Sequence, residues 1–200
     1  MEAEYVGAVD VGKRERAERL IRELITLIGD DPDRQGLRDT PKRVVKAWET
    51  LFAGYTEDIG GQIRVFDETY DEVVAIKGID YFSFCEHHMM PFFGQCHIAY
   101  LPAVSQDGVG HVLGASKLAR ITNHVARRLQ IQERMTRQIA ETIDQAISPR
   151  AVAVIVEGTH MCMVARGVQQ PHSVMRTSAI LGDWLEDHRG RDEALRLLGL

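Results

Sequence analysis

The sequence predicts an α+β protein, and three observations carry that prediction. The first quarter shows only helical periodicity, with apolar residues at spacings of three and four. The middle and the end hold short runs of β-branched and aromatic residues punctuated by glycine and proline. Between those runs lies one stretch, Ser116 to Ile147, in which the helical period returns.

Each element follows from its residues. From Arg14 to Gly29, the positions Ala17, Leu20, Ile21, Leu24 and Leu27 form the stripe of an amphipathic helix closed by a glycine. Asp31-Pro32-Asp33 makes a turn. At Asp39-Thr40-Pro41 a capping side chain precedes a proline suited to the first helical position, and Val44, Val45, Trp48, Leu51 and Phe52 continue the stripe to Gly54. The pattern changes after Gly60 and Gly61, which divides the chain into a helical segment, 1–60, and a sheet-bearing domain, 61–200. Ile63 to Phe66, Val73 to Ile79 and Phe92 to Leu101 read as strands. Ser116 to Leu129 and Gln132 to Ile147 read as helices, with Leu118, Ile121 and Val125 on one face of the first and Met135, Ile139 and Ile143 in register on the second. Ser148-Pro149 stops the pair. Ala151 to Val156, Thr159 to Arg166 and Ser173 to Ile180 read as closing strands, and Glu193 to Leu198 as a short terminal helix.

Composition excludes several classes of function. Two hundred residues, 44% of them hydrophobic, are enough to bury a core and fold alone. A formal charge of -5 gives no general basic footprint for nucleic acid, and the longest strongly apolar run, Ala151 to Val156, is far too short to span a bilayer. Met1 to Glu18 lacks the apolar core of a signal peptide, and three cysteines cannot all pair within the chain. A reducing cytoplasm, with thiols free for metal, is the expectation.

The chemistry concentrates in two runs. Phe84-Cys85-Glu86-His87-His88 packs a thiol and two imidazoles together, and Thr159-His160-Met161-Cys162 answers it far downstream. Thiolates with imidazole suit zinc, and three protein ligands with one position left to water are the arrangement of a catalytic zinc site. Residues 85 and 88 face opposite sides of a strand, so they meet one metal only if the chain bends there. In an extended strand, residues 160, 162 and 166 share a face, which sets Arg166 about 13 Å beyond Cys162. Cys96, His87 or His160 as a fourth ligand would instead close the shell into a structural site. Cys96 lies mid-strand, where a cysteine serves as a small apolar side chain, and His97, His111, His124, His172 and His188 read as ordinary surface or partly buried residues. Ser116, Lys117 and Arg120 begin a helix, where free amides and two cations suit phosphate, or a solvated basic face. Glu133 suits a first helical turn without any ligand, and as a functional residue it would offer two parallel acceptors that match the N1 and N2 donors of guanine.

The blocks CEHHMMPFFGQCHIAYLP, GASKLAR, IQERMTRQIA and THMCMVARGV resemble the signature blocks of type I GTP cyclohydrolase, in order, from about Thr40 to Gly182. The resemblance implies zinc on Cys85, His88 and Cys162, with His87 and His160 in acid and base roles. It further implies that Ser116, Lys117, Arg120, Arg166 and Arg43 contact the triphosphate, Ser116 also assisting the ribose rearrangement. Gln132 and Glu133 contact guanine on the same basis. The implied reaction converts GTP and water into 7,8-dihydroneopterin triphosphate and formate by attack at C8. The implied fold is a T-fold, an antiparallel sheet with paired helices on one face behind an N-terminal helical segment, assembled as a homodecamer with sites at subunit boundaries. Ala115, the loop Gln106 to His111 and Cys96 depart from the family's pattern, all outside the ligand set. A zinc nucleoside deaminase needs His-x-Glu and Pro-Cys-x-x-Cys, which this chain lacks. A non-catalytic, zinc-stabilised T-fold binding module would show a closed metal shell.

Overall fold

The computed structural model describes residues 11–105 and 108–199, so the start of the N-terminal stretch and two residues of the Gln106 to His111 loop lie outside it. Two compact units are present, one ending at Glu57 and one beginning at Asp58. In the first, helices α1 (Val11–Leu27) and α2 (Thr40–Leu51) pack together and bury Ala17, Ile25 and Val45. Gly29 leaves α1 at φ 96, a conformation glycine adopts without the penalty of a Cβ. The turn after it is tied by Asp30, whose carboxylate takes two 2.8 Å bonds from Arg34. The side-chain cap expected at Asp39 is not made. Asp39 is itself nearly helical, with ψ -1, and its carboxylate faces Arg43 at 3.4 Å.

The second unit is built on a five-stranded sheet. Its long strands are β2 (Val74–Cys85), β3 (Pro91–Leu101), β6 (Ala151–His160) and β7 (Met175–Gly182), antiparallel throughout in the order β2-β3-β6-β7. The two-residue β5 (Leu129–Gln130) pairs in parallel with the end of β2. A separate antiparallel ribbon joins β1 (Val65–Glu68) to β4 (Gly110–Leu113). Helices α3 (Ala115–Ala126) and α4 (Gln132–Ile147) cover one face, where Leu118, Ile121, Ile139 and Ile143 bury against Tyr81 and Val154. Fully burying such side chains stabilises the fold by about 1.5–3 kcal/mol each.

Several boundaries differ from the sequence reading, each for a physical reason. The helix predicted to Leu129 ends at Ala126, because Leu129 and Gln130 hydrogen-bond to β2 instead. The strand predicted to stop at Ile79 continues to Cys85, with Tyr81, Ser83 and Cys85 alternating inward. Gly158, which falls between the strands predicted for Ala151 to Val156 and Thr159 to Arg166, is interior to β6: a Cβ there would lie 2.5 Å from the Tyr81 hydroxyl. Helices also occupy both faces of the sheet. The α3–α4 pair takes one, while the other receives α6 (His188–Leu197) and Trp184 over Ala99, Ala153 and Ile155. Of the histidines expected at the surface or partly buried, His97 and His124 are buried, at 7% and 8% exposed. The Nδ1 of His97 accepts the N–H of Gly78, where φ is 74 and the β2–β3 register shifts.

Candidate active site

Topology brings the two motif runs together. Strands β2 and β6 are each antiparallel to β3, so they run the same way and end at one edge of the sheet, roughly 9.6 Å apart at about 4.8 Å per strand. Cys85 closes β2 and His160 closes β6. The chain turns at both ends. After Cys85 its carbonyl accepts from the amides of His88 (3.3 Å) and Met89 (2.8 Å), and Met89 takes φ 52. This bend is the one the spacing required. Glu86 is held outside it by an ion pair with Arg134, which also lowers the pKa of that carboxyl.

The strand predicted for Thr159 to Arg166 stops at His160, and Met161–Val164 forms a helical turn, α5. By the register, residue 161 falls opposite Pro91, which has no N–H to continue the ladder. The turn places Cys162 beside Cys85 and His88, and the three ligating atoms all lie within 4.8 Å of one another. Arg166 does not stand about 13 Å away on a shared strand face: its Nη1 is 3.3 Å from His88 Nε2. The Nδ1 of His88 therefore faces the thiols, 4.0 Å from Cys85 Sγ.

The donor set is suited to a metal ion. Bonds of about 2.3 Å to sulfur and about 2.0 Å to nitrogen put tetrahedral donors ~3.6 Å apart, close to the separations found. Burial first and then the neighbouring Cys85 raise the pKa of Cys162, a tension that a cation held between the two sulfurs would relieve. His87 Nδ1 lies 3.8 Å from Cys85 Sγ at the exposed rim. Cys96 belongs elsewhere. It is 0% exposed in the sheet core, and burial pushes its thiol up to about 12.

His160 is clamped from two sides. Its ring stacks on Phe92, with centroids 4.5 Å apart and planes 5° from parallel, and its Nε2 is 2.9 Å from Gln132 Oε1. Burial lowers its pKa, while the Glu133 carboxylate acts in the opposite sense. Gln132 and Glu133 diverge at the start of α4: Gln132 is 1% exposed and turned inward, Glu133 is exposed.

Ser116, Lys117 and Arg120 occupy the first turns of α3, which begins after Gly114 without a side-chain cap and so leaves amides available to an anion. Loss of hydration, then Arg120, then Arg64 lower the Lys117 pKa. Arg64 is thus a third cation of this patch. Sequence reading missed it, because Arg64 lies in a predicted strand with no motif to mark it. Arg43 lies on α2 in the first unit, paired with Asp39.

An antiparallel sheet with two long helices on one face and a Cys-His-Cys centre at its strand ends defines a T-fold protein able to hold a metal. The family model for GTP cyclohydrolase I matches residues 17–199. GTP cyclohydrolase 1 of Chromohalobacter salexigens is 49% identical over 179 residues, 88% of this chain and 94% of that protein. The same-named protein of Wolinella succinogenes is 49% identical over 183 residues, 90% of this chain and 95% of that protein. That of Chlorobaculum tepidum is 46% identical over 181 residues, 90% and 78% respectively. Among solved structures, an archaeosine synthase QueF-Like in the apo form is a distant likeness, with 16% identity, a TM-score of 0.43 and 56% of this chain covered. The chain belongs to the GTP cyclohydrolase I family.

Proposed function

We propose that this chain is a zinc-dependent GTP cyclohydrolase that hydrolyses GTP at C8, releases formate and recloses the product as 7,8-dihydroneopterin triphosphate. The observation that carries the reading is the juxtaposition of three donors, Cys85, His88 and Cys162, with the clamped imidazole of His160. Zinc in a three-ligand shell acidifies water to a pKa of about 7 and so makes a nucleophile available at neutral pH. The remaining work falls to the chain. His160 holds a proton at N7 of the purine, which makes C8 more electrophilic, and His87 at the rim serves the later proton transfers of ring opening and ribose rearrangement. Ser116 assists at the sugar. Glu133 accepts from N1 and N2 of guanine. Lys117, Arg120, Arg166 and Arg43 neutralise the triphosphate, and Arg64 adds to the same field.

Several features support the wider setting. His160 is turned to Gln132 and Cys96 is sealed in the core, which supports an open shell, and His87, 3.8 Å from Cys85 Sγ but outside the Cys85, His88 and Cys162 cluster, is kept for proton transfer. Phe82 is 61% exposed and stacks on Phe93, with ring centroids 5.7 Å apart, on the sheet face opposite α3 and α4. Such a pair is suited to burial against another subunit, in keeping with a homo-oligomer, proposed as a decamer with sites at subunit boundaries. No helix among the described residues is long and apolar enough to cross a membrane, and the free thiols of Cys85, Cys96 and Cys162 suit a cytoplasmic setting without nucleic-acid or membrane partners. The test is to incubate purified protein with GTP and measure formate together with a fluorescent pterin after oxidation. GTP left intact by zinc-loaded protein overturns the reading.

A further inference from the structure

We propose that Gln132 is a positioning residue whose carboxamide fixes the Nε2–H tautomer and ring orientation of His160, leaving Nδ1 as the nitrogen offered to substrate. The role rests on the GTP cyclohydrolase reading for what His160 then does, and on geometry alone for the tautomer.

The hydrogen-bond directions are set from the backbone outward. Gln132 Nε2 lies 3.0 Å from the carbonyl of Val156, 3.0 Å from that of Met175 and 3.2 Å from Thr177 Oγ1. Two of these partners are main-chain carbonyls, which only accept, so the nitrogen must be the end that faces them. The opposite rotamer would bury oxygen against oxygen. The hydroxyls agree in sense: Thr136 donates to the Gln132 carbonyl at 2.7 Å, and Thr177 can then donate to Thr136 at 2.6 Å. Oε1 is left facing His160 Nε2 at 2.9 Å, and because an amide oxygen only accepts, that ring nitrogen carries a hydrogen.

Two further features show that the site is built around this contact. Gly158 admits the carboxamide, since a Cβ there would stand 2.4 Å from Oε1. Phe92 stacks on the ring face and blocks its rotation. An Nε2–H is present in both the neutral and the cationic imidazole, so the anchor persists whichever form the ring takes. Gln132 is thereby assigned to His160, with base recognition left to Glu133.

The test uses the full-length, metal-loaded protein labelled with 15N at histidine. At about pH 8.5, well above an ordinary imidazole pKa, the His160 resonances, identified by their loss in His160→Ala, should show hydrogen on Nε2 and a bare Nδ1. Hydrogen on Nδ1 in the unsubstituted protein overturns the proposal, whatever the activity. Two variants break the contact differently: Gln132→Met deletes the carboxamide, and Gly158→Ala displaces it with Gln132 intact. Both should give mixed tautomers at His160, unchanged metal content, and a kcat for formate release lowered ~10–100-fold with KM for GTP within about threefold. A raised KM at unchanged kcat would make Gln132 a base contact and overturn the proposal. If Gly158→Ala or Gln132→Met fails to fold, the tautomer of the unsubstituted protein still decides. An Nε2–H His160 in a protein that leaves GTP intact would sustain the tautomer and overturn the GTP cyclohydrolase reading instead.

Discussion

Replacing Cys96 should leave the metal in place, whereas replacing Cys85, His88 or Cys162 should remove it. Cys96 sits on β3 at 0% exposure, hydrogen-bonded to Thr122, and its thiol is pushed up to about 12. At pH 7 a pKa of about 12 leaves roughly 0.001% thiolate, against about 3% for an ordinary thiol near 8.5, so reaction through the thiolate is slowed ~3000-fold before access is considered. Cys85 and Cys162 lie at the sheet edge with His88, within 4.8 Å of one another, and are the thiols a metal would ionise. Zinc per chain is measured by elemental analysis for Cys85→Ser, His88→Ala, Cys162→Ser and Cys96→Ser. The first three should lose zinc and formate release together. Cys96→Ser should keep both, and burying a hydroxyl in its place should cost about 1–3 kcal/mol of stability. Maleimide labelling after chelation gives a second reading: two thiols should react in the folded protein and the third only in denaturant. Zinc lost from Cys96→Ser, or Cys96 labelled as fast as the other two, would refute the assignment.

Four other outcomes follow from the geometry. Glu133→Gln presents a donor where guanine needs an acceptor, so GTP binding measured by calorimetry should weaken by about 1–3 kcal/mol, and unchanged affinity would remove Glu133 from the base site. Arg166→Ala should weaken binding of GTP far more than of guanosine; equal losses would show that the guanidinium acts only through its contact with His88. If the site spans two subunits, oligomers mixed from Arg43→Ala and His160→Ala chains should regain activity, and silent mixtures with mixing confirmed by mass would place both residues in one chain's pocket. Arg34 holds the Asp30 carboxyl at about 2, below its unfolded value, so this pair stabilises the fold above about pH 4 and the effect is lost as pH falls through about 2. The Tm of Asp30→Asn should therefore lie below that of the unsubstituted protein at pH 6 and converge on it as pH falls below about 2; a gap that widens in acid contradicts the assignment.

Much of this protein is legible along the chain because the signals are local. Stripes such as Met135, Ile139 and Ile143 determine a helix that must bury one face, and the spacing of Cys85 and His88 requires a bend if both are to meet one ion. The blocks CEHHMMPFFGQCHIAYLP, GASKLAR, IQERMTRQIA and THMCMVARGV carry the family's signature within the sequence alone. What lay beyond local signals came from long-range pairing. Eight residues from Thr159 to Arg166 suit a strand or a helical turn equally, and only the register with β3, which sets residue 161 opposite Pro91, ends the strand and swings Cys162 to Cys85 and Arg166 to His88. Gln132 and Glu133 are indistinguishable as polar residues at a helix start. Their opposite directions depend on the carbonyls of Val156 and Met175, which arrive from two strands distant in sequence. Arg64 joins Lys117 and Arg120 for the same reason. The sequence by itself determined which side chains carry the chemistry and which elements hold them, since periodicity and spacing act within a few residues. The tertiary structure alone decided which of those side chains face one another, because hydrogen-bond partners, register and exclusion of water are properties of segments that meet only when the sheet is assembled.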